Sequence, residues 1–271
     1  MSEDWKRVRL DVADHLATVT LARPDARNAL DPRMIVELRE VWSRVMDDSS
    51  VRAAIVTGEG SVFCAGFDLG TTIPLMSRSR DPQDEYEEAV AADLGLLGQA
   101  TLRDLDIGKP LVAAVQGHAI AGGFELMLAA DVRVVASGVR LGLSEVQLGL
   151  IPGMGGTARL ARQISPALAA ELLLTGDPIQ SERALAIGLV NDVVPLESVL
   201  ERARALGGRM ASNGPLALVA ARRVLRASGD ITEAEALAME AEEGAVLAAT
   251  ADAVEGPKAF MEKRSPVFQG R

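Results

Sequence analysis

The chain has 271 residues, 48% of them hydrophobic, enough for one large or two small domains with a substantial core. Its net charge of −10 disfavours non-specific nucleic-acid binding and docking on an anionic membrane. The single cysteine, Cys64, excludes an intrachain disulfide, and two separated histidines disfavour a metal site. No apolar run has membrane-spanning length and residues 1–7 do not resemble a signal peptide, so we expect a cytoplasmic protein.

The first part of the chain alternates buried strands with helices. Residues 8–12 and 16–21 alternate in polarity and are rich in β-branched residues, which predicts a pair of strands. Asp31 and Pro32 then predict the start of a helix whose apolar periodicity extends over 34–46. Short apolar runs predict further strands at 53–58, 111–117, 132–136 and 139–143. This order is typical of an α/β core.

Two later regions differ from this core. Residues 71–104 are acidic and contain two prolines, which predicts a mobile surface segment that leads into a helix near 85–102. From about residue 198 the pattern is helical, with a capping box at Thr232 and Glu235. The predicted helices there cover 199–211, 215–227, 232–250 and 253–263.

A glycine pair, Gly122-Gly123, lies where the strand at 111–117 leads into a helix. The start of a helix exposes unpaired N–H groups with partial positive charge, and glycine allows close approach of a ligand oxygen. A tight turn that packs the strand on the helix explains the pair equally well. Glu125, in the first turn of this apolar helix, is either a carboxylate that interacts favourably with the helix dipole or a catalytic carboxylate that the dipole helps to keep ionised.

A second glutamate, Glu145, follows the strand at 139–143 and also has apolar neighbours. Desolvation there would raise its pKa, which suits a group that transfers protons, although it also fits an ordinary acid at a helix start. Two carboxylates that converge beside free N–H groups can move a proton and stabilise a developing oxyanion.

The segment 61–69 also follows a strand. Small residues at 65 and 66 leave room for a ligand at the carboxyl end of that strand, where α/β folds bind ligands. Cys64 is interpreted as a packed core residue, because no histidine pattern supports a nucleophile.

Taken together, these segments resemble the crotonase superfamily, and enoyl-CoA hydratases in particular. The similar segments occur in the same order at 27–30, 63–69, 109–125, 145–157, 174–176, 186–190 and 260–264. The resemblance implies an α/β fold: a spiral of ββα units that forms two sheets at a steep angle, followed by a C-terminal helical region. It divides the chain into a core for CoA binding and catalysis, 1–197, and a helical oligomerisation region, 198–271, of a trimer or a hexamer made of two trimers.

The resemblance also implies roles for individual residues. The backbone N–H groups of Phe67 and Gly122 would form the oxyanion hole, and Glu125 and Glu145 would be the catalytic acids. The matching CoA-binding positions are Ala65, Asp68, Leu69 and, as a cation for the CoA phosphates, Arg27; Phe260 and Lys263 match residues that reach CoA in a neighbouring subunit. Coenzyme A is part of the substrate, and neither a metal nor a redox cofactor is implied.

The implied reaction is reversible addition of water across the trans-2 double bond of an enoyl-CoA, with Glu145 as principal acid and base and Glu125 orienting the water. Δ3,Δ2-Enoyl-CoA isomerases, thioester hydrolases and decarboxylases share the scaffold, and an isomerase needs only the second glutamate. Both glutamates are present, which favours a hydratase and opposes a non-catalytic acyl-CoA-binding protein.

Two positions depart from the common pattern. Ser144 replaces a frequent proline, and Phe67 is larger than the frequent alanine or glycine. Both differences bear on acyl-chain preference, and residues 71–104 would form much of the acyl pocket. The acyl chain length and the pathway, whether fatty-acid β-oxidation, amino-acid breakdown or secondary metabolism, stay open.

Overall fold

The computed structural model describes residues 5–271, which form two β-sheets and twelve α-helices. Residues 1–4, on which part of the signal-peptide expectation rests, lie outside this range. No helix in the described range is both long and apolar enough to span a membrane. The strands are β1 Val8–Ala13, β2 Leu16–Leu21, β3 Ala53–Gly58, β4 Val62–Cys64, β5 Leu111–Val115, β6 His118–Ile120, β7 Val132–Ala136, β8 Arg140–Gly142, β9 Ile179–Gln180 and β10 Asp192–Val194.

The strands pair in two sheets, which confirms the predicted α/β class. The larger sheet has the order β1-β2-β3-β5-β7-β10, and all its neighbours are parallel except the antiparallel pair β1 and β2. The smaller sheet has the order β4-β6-β8-β9, with β4, β6 and β8 parallel. Because β3 and β4, β5 and β6, and β7 and β8 each divide between the two sheets, the chain repeats one two-strand unit three times.

The helices cover the sheets and continue to the C-terminus. They are α1 Pro32–Asp47, α2 Thr72–Met76, α3 Glu85–Ala92, α4 Gly95–Ala100, α5 Gly122–Ala129, α6 Gly156–Gln163, α7 Pro166–Thr175, α8 Ser181–Ala186, α9 Val199–Ala211, α10 Pro215–Ala227, α11 Glu233–Ala248 and α12 Ala251–Met261. The carboxylate of Asp31 accepts a hydrogen bond from the Met34 N–H, and Pro32 is the first helical residue of α1, as predicted. This cap satisfies one of the otherwise unpaired N–H groups of the helix.

The acidic segment differs from its prediction. One helix was expected near 85–102, but the structure has α3 and α4, separated where Asp93 adopts an extended conformation. The Asp93 carboxylate accepts a hydrogen bond from the Gly95 N–H at 2.8 Å, a local turn that competes with helix continuation. A further short helix, α2, precedes them, and it lines the cavity described below.

The C-terminal helices differ in how closely they attach to the sheets. Helix α9 packs on β3, β5 and β7, and Gly207 lies so close to Leu16 that an added Cβ would be 2.8 Å from its methyl carbon. Helix α10 is held by Arg222, whose guanidinium bonds both Asp106 and Asp131 at 2.8 Å. Helix α11 begins with the predicted capping box and has no buried residue. The division at residue 198 stays a prediction.

Candidate active site

Three short strands bring the predicted site segments together. Strands β4, β6 and β8 are parallel neighbours, so their carboxyl ends meet at one edge of the smaller sheet. The loop 65–69 follows β4, the start of α5 follows β6, and Glu145 follows β8. Residues that are about eighty positions apart in the chain therefore converge at this edge.

The loop after β4 presents a backbone donor at Phe67. An isolated parallel bridge joins Leu30 to Phe67: the Leu30 N–H donates to the Gly66 carbonyl at 2.8 Å, and the Asp68 N–H donates to the Leu30 carbonyl at 3.1 Å. Within residues 5–271, the N–H groups of Phe67 and of Gly122, the first residue of α5, donate no backbone hydrogen bond. Both predicted oxyanion-hole donors are therefore free to bind an external oxygen.

The Phe67 loop and the start of α5 are in direct contact. Gly66 has φ +94, and a Cβ added to it would lie 2.8 Å from the Ala121 Cβ and 3.2 Å from the Gly122 nitrogen. A Cβ added to Gly122 would lie 3.2 Å from a carbon of the Phe67 ring. Ala121 itself has φ 51 and ψ −127, a conformation that L-residues rarely adopt. This strained turn directs the first N–H groups of α5 toward the Phe67 loop.

The two glycines at the start of α5 have separate roles. A Cβ added to Gly123 would lie 2.3 Å from the Cys64 carbonyl oxygen and 2.6 Å from the Cys64 Cβ. Gly123 therefore lets α5 pack against β4, whereas Gly122 supplies the free N–H. The packing interpretation therefore applies to Gly123, and binding of a ligand oxygen by the Gly122 N–H stays a prediction.

Glu125 is fixed inside the fold. Its side chain is buried, and its Oε1 accepts hydrogen bonds from the Met154 N–H at 2.6 Å and from the Gly156 N–H at 2.8 Å. Burial raises the pKa of Glu125 above its ordinary value, while the two backbone donors oppose this shift. At the other end of α5, the buried Arg133 guanidinium donates to the carbonyls of the last turn and so holds the helix in place.

Glu145 is held less firmly. It begins a short 3₁₀ turn, Glu145–Leu148, rather than the α-helix considered from the sequence. Burial raises its pKa to about 7, with a smaller contribution from the charge of Glu125. Its Oε2 is buried without a hydrogen-bond partner among residues 5–271. A buried, unpaired carboxylate oxygen with a pKa near neutrality is typical of a group that transfers protons.

Both glutamates open onto one cavity of about 320 Å³. Its lining is Phe67, Ile73, Met76, Ser77, Glu125, Glu145, Leu150, Ile151, Gly153 and Met154. Of the acidic segment 71–104, the lining includes Ile73, Met76 and Ser77, and the expectation that this segment forms much of an acyl pocket stays a prediction. The contribution of 150–154 was not anticipated, because Glu125 draws this segment in through backbone hydrogen bonds that no sequence pattern reveals.

Four of the residues predicted to bind CoA, Arg27, Ala65, Asp68 and Leu69, lie in or beside the loop that contains Phe67. The Ala65 N–H donates to the Arg27 carbonyl at 3.1 Å, and the Arg27 side chain is exposed. The Asp68 carboxylate binds Arg23 at 2.7 Å, an ion pair that fixes the loop. Leu69 is exposed.

Phe260 lies in the last turn of α12 and Lys263 follows the helix; both are exposed and neither lines the cavity. Their expected partner is the CoA of a neighbouring subunit. Their CoA-binding role therefore stays a prediction. Within residues 5–271, no three His, Cys, Asp or Glu side chains cluster as metal ligands would.

Asn28 supports the site and had no assigned role. It is buried with φ 52, and its Nδ2 donates to the carbonyls of Glu59 at 2.9 Å and Val62 at 2.8 Å. The Cys64 thiol donates to the Asn28 carbonyl, and its sulfur accepts from the Gly66 N–H. Cys64 is thus a buried core residue, as predicted, and burial raises its pKa to about 12. Asparagine tolerates positive φ, which is the sequence signal that could have identified Asn28.

A family model described as enoyl-CoA hydratase/isomerase matches residues 11–271. The chain belongs to this family. It is 38% identical over 264 residues to an (E)-benzylidenesuccinyl-CoA hydratase of Thauera aromatica, covering 97% of this chain and 99% of the relative. It is 39% identical over 257 residues to an enoyl-CoA hydratase of Mycobacterium tuberculosis, EchA19, covering 95% and 94%.

A solved structure extends this similarity to the fold. The crystal structure of an enoyl-CoA hydratase from Mycobacterium tuberculosis H37Rv superposes with a TM-score of 0.86 at 36% sequence identity, over 98% of this chain and 100% of the other. The two-sheet core and the C-terminal helices are therefore those of the crotonase fold, as the sequence resemblance implied.

Proposed function

We propose that the chain is an enoyl-CoA hydratase, an enzyme that acts on CoA thioesters and adds water reversibly to a trans-2-enoyl-CoA to give a 3-hydroxyacyl-CoA. The observation that carries this proposal is the convergence of Glu125, Glu145 and Phe67 on one largely apolar cavity. The names of the relatives support a hydratase. Relatives of nearly equal identity are named for benzylidenesuccinyl-CoA, 2,3-dehydroadipyl-CoA and carnitinyl-CoA, so their names do not select the acyl group here.

The oxyanion hole would act on the thioester carbonyl. As the C3–O bond forms, the electron pair of the double bond moves toward this oxygen, and an enolate develops. The N–H groups of Phe67 and Gly122 would donate hydrogen bonds to it. Loss of one such donor typically lowers the rate by roughly 100–1,000-fold.

The glutamates would transfer the protons. Water loses one proton to a carboxylate as its oxygen bonds to C3, and C2 receives a proton to complete the addition. Glu125, fixed by Met154 and Gly156, would orient and help to activate the water. Glu145, whose pKa is raised to about 7, is present in both protonation states at neutral pH and so suits the role of principal acid and base.

An alternative is a Δ3,Δ2-enoyl-CoA isomerase. One observation favours it: Oε1 of Glu125 is already occupied by two backbone N–H groups, whereas Oε2 of Glu145 has no partner in the described chain. A single carboxylate of that kind could carry a proton between C4 and C2. The two functions differ in whether water enters the product.

Substrate comparison tests the proposal. Purified protein is incubated with crotonyl-CoA, with a longer trans-2-enoyl-CoA and with a 3-enoyl-CoA, and the enoyl-thioester absorbance is followed. Loss of absorbance with a trans-2-enoyl-CoA, with 3-hydroxyacyl-CoA identified as product, is the expected result. Conversion of the 3-enoyl-CoA to the conjugated isomer without hydration of either trans-2-enoyl-CoA would establish the isomerase instead.

The same proposal includes the assembly and the cofactor requirement. A trimer or hexamer is supported by large apolar side chains exposed on α11 and α12, among them Leu237, Val254 and Phe260. Analytical ultracentrifugation of the purified protein would test it. Hydration transfers protons rather than electrons, so we expect activity to survive chelation and dialysis without an added metal or redox cofactor. A cytoplasmic location and a role in β-oxidation belong to the proposal and require localisation and metabolic experiments.

A further inference from the structure

The cavity wall away from the glutamates is almost entirely apolar. Helix α2 contributes Ile73 and Met76, and the segment 150–154 contributes Leu150, Ile151 and Met154. Aliphatic and thioether side chains offer dispersion contacts but no strong hydrogen bond or ion pair. This wall therefore favours an acyl group that is itself apolar.

Besides the two glutamates, Ser77 is the only polar side chain that residues 5–271 contribute to the lining, and it is already hydrogen-bonded. The Ser77 hydroxyl donates to the Ile73 carbonyl at 3.0 Å and shares a hydrogen bond with the Ser79 hydroxyl at 3.0 Å. A polar substrate group would have to compete with these local bonds. Ser77 is thus a weak candidate for recognition of a charged acyl group.

The charges at the cavity are all of one sign. Among residues 5–271, no lysine, arginine or histidine lines it, and its only ionisable side chains are Glu125 and Glu145. Arg159 and Arg103 favour ionisation of Glu125 electrostatically, but neither forms part of the lining. A free carboxylate on the acyl group would add a further negative charge to a site whose described lining holds no cation, which is unfavourable.

We infer that this cavity accepts an uncharged, apolar acyl group and rejects one that carries a free carboxylate. This inference rests on the proposed function. The specificity follows from the apolar wall formed by Ile73, Met76 and Ile151 and from the absence of a cation in the described lining. The inference concerns which enoyl-CoA is used, and it stands apart from the assignment of the glutamates.

A pair of substrates of equal length tests the inference. trans-2-Hexenoyl-CoA and 2,3-dehydroadipyl-CoA differ at the far end, where a methyl group is replaced by a carboxylate. We expect kcat/KM for hexenoyl-CoA to be greater by roughly 100-fold or more. Equal or preferred use of the carboxylated substrate would overturn the inference while leaving the hydratase assignment intact.

A binding measurement separates this inference from the proposed function. Calorimetry with the saturated counterparts, hexanoyl-CoA and adipoyl-CoA, reports discrimination even if neither enoyl-CoA is hydrated. Failure of hydration with tighter binding of hexanoyl-CoA would refute the hydratase and uphold the apolar pocket. Equal affinity for both ligands would refute the pocket inference.

A charge-introducing variant sharpens the test. Ile151 lines the cavity and the residue is 71% exposed, so Ile151→Lys should fold. It should reduce the preference for hexenoyl-CoA by about tenfold or more, because the ammonium can pair with the added carboxylate. Leu174→Lys, at a residue 78% exposed and outside the lining, is the matched control and should keep the wild-type preference. The same preference for hexenoyl-CoA in both variants would contradict the inference that the wall containing Ile151 contacts the acyl group.

Discussion

The two glutamates of the candidate site lie in contrasting surroundings. Glu125 is buried in α5, and its Oε1 is bound by the N–H groups of Met154 and Gly156. Glu145 is itself half-buried and begins a 3₁₀ turn whose other residues are exposed, and one of its oxygens is buried without a partner in the described chain. The Glu125 carboxylate is therefore part of the protein interior, whereas the Glu145 carboxylate lies at its boundary with the cavity.

This contrast suggests a division of labour. A carboxylate with fixed hydrogen bonds holds its position while water or substrate binds, which suits an orienting role. A carboxylate with a free oxygen and a pKa near neutrality can exchange a proton at little cost, which suits acid and base catalysis.

Removing either charge should nearly abolish hydration. Glu125→Gln and Glu145→Gln should each lower kcat by about 100–10,000-fold, because both carboxylates take part in proton transfer. The amide oxygen at position 125 can still accept from Met154 and Gly156, so the fold should remain. Crotonyl-CoA hydration measures the effect, and calorimetry with a saturated acyl-CoA should show that binding persists.

Glu201→Gln is the control for both variants, because Glu201 is exposed on α9. It should hydrate crotonyl-CoA at the wild-type rate. Wild-type turnover by either active-site variant would refute the role assigned to that glutamate, and turnover retained only in Glu125→Gln would favour the isomerase-like use of Glu145.

Helix α5, which carries Glu125, should tolerate less change than the segment 150–154 that borders the cavity. Gly123→Ala places a Cβ 2.3 Å from the Cys64 carbonyl oxygen, which forces α5 away from β4. We expect a loss of about 3 kcal/mol in the free energy of unfolding, or failure to fold. Gly153→Ala meets only the Ile151 oxygen at 3.7 Å and should change this free energy by no more than about 0.5 kcal/mol.

Urea unfolding followed by circular dichroism measures both glycine variants. Gly123→Ala should lower the free energy of unfolding much more than Gly153→Ala does. Similar stabilities of the two variants would show that α5 is not the rigid element inferred here.

The raised pKa of Glu145 predicts a pH-dependent gain in stability on its removal. Burial raises this pKa from an ordinary value of 4.5 to about 7, so the folded protein binds the proton more tightly than the unfolded chain. The contribution of Glu145 to stability therefore falls as pH rises through this window. At about pH 8, Glu145→Gln should be more stable than wild type by about 1–2 kcal/mol, since partial exposure reduces the full electrostatic cost.

Urea titrations from about pH 4.5 to about pH 8 measure this difference in the free energy of unfolding. The difference should be small at the acidic end and should level off above about pH 7. A gain that is equal at every pH, or a loss at high pH, would contradict the burial of an ionisable Glu145.

The smallest effect is expected at Ser144. Its φ of −97 is within reach of the proline value near −65°, and its N–H donates no backbone hydrogen bond within residues 5–271. Ser144→Pro should change the free energy of unfolding by no more than about 1 kcal/mol and leave turnover nearly unchanged. Thermal unfolding and the crotonyl-CoA assay measure these effects. A loss of about tenfold in kcat would show that the turn geometry before Glu145 is critical.

Local patterns predicted the regular elements closely. Helices α9 and α10 have the predicted bounds, and the Asp31 cap and the Thr232 capping box are present. Their signals are short-range: apolar periodicity, a capping side chain and a proline that starts a helix. The helix expected over 85–102 is instead divided, because the Asp93 side chain binds the Gly95 N–H and the backbone leaves the helical conformation.

The smaller sheet was harder to predict from local patterns. Strands β4, β6 and β8 each have three residues, too few to show a polar alternation. Residue 117 was expected to end a strand, yet the chain turns there and β6 begins at His118. Only pairing with distant strands stabilises such short segments.

The sequence by itself determined the α/β class, the family resemblance and the candidate residues, because helix signals and motif residues are local. The tertiary structure decided how these residues act together. Parallel pairing of β4, β6 and β8 brings Phe67, Gly122 and Glu145 to one sheet edge. Burial and long-range hydrogen bonds then make Glu125 a fixed carboxylate and Glu145 a titrating one, since desolvation depends on every segment that surrounds the group.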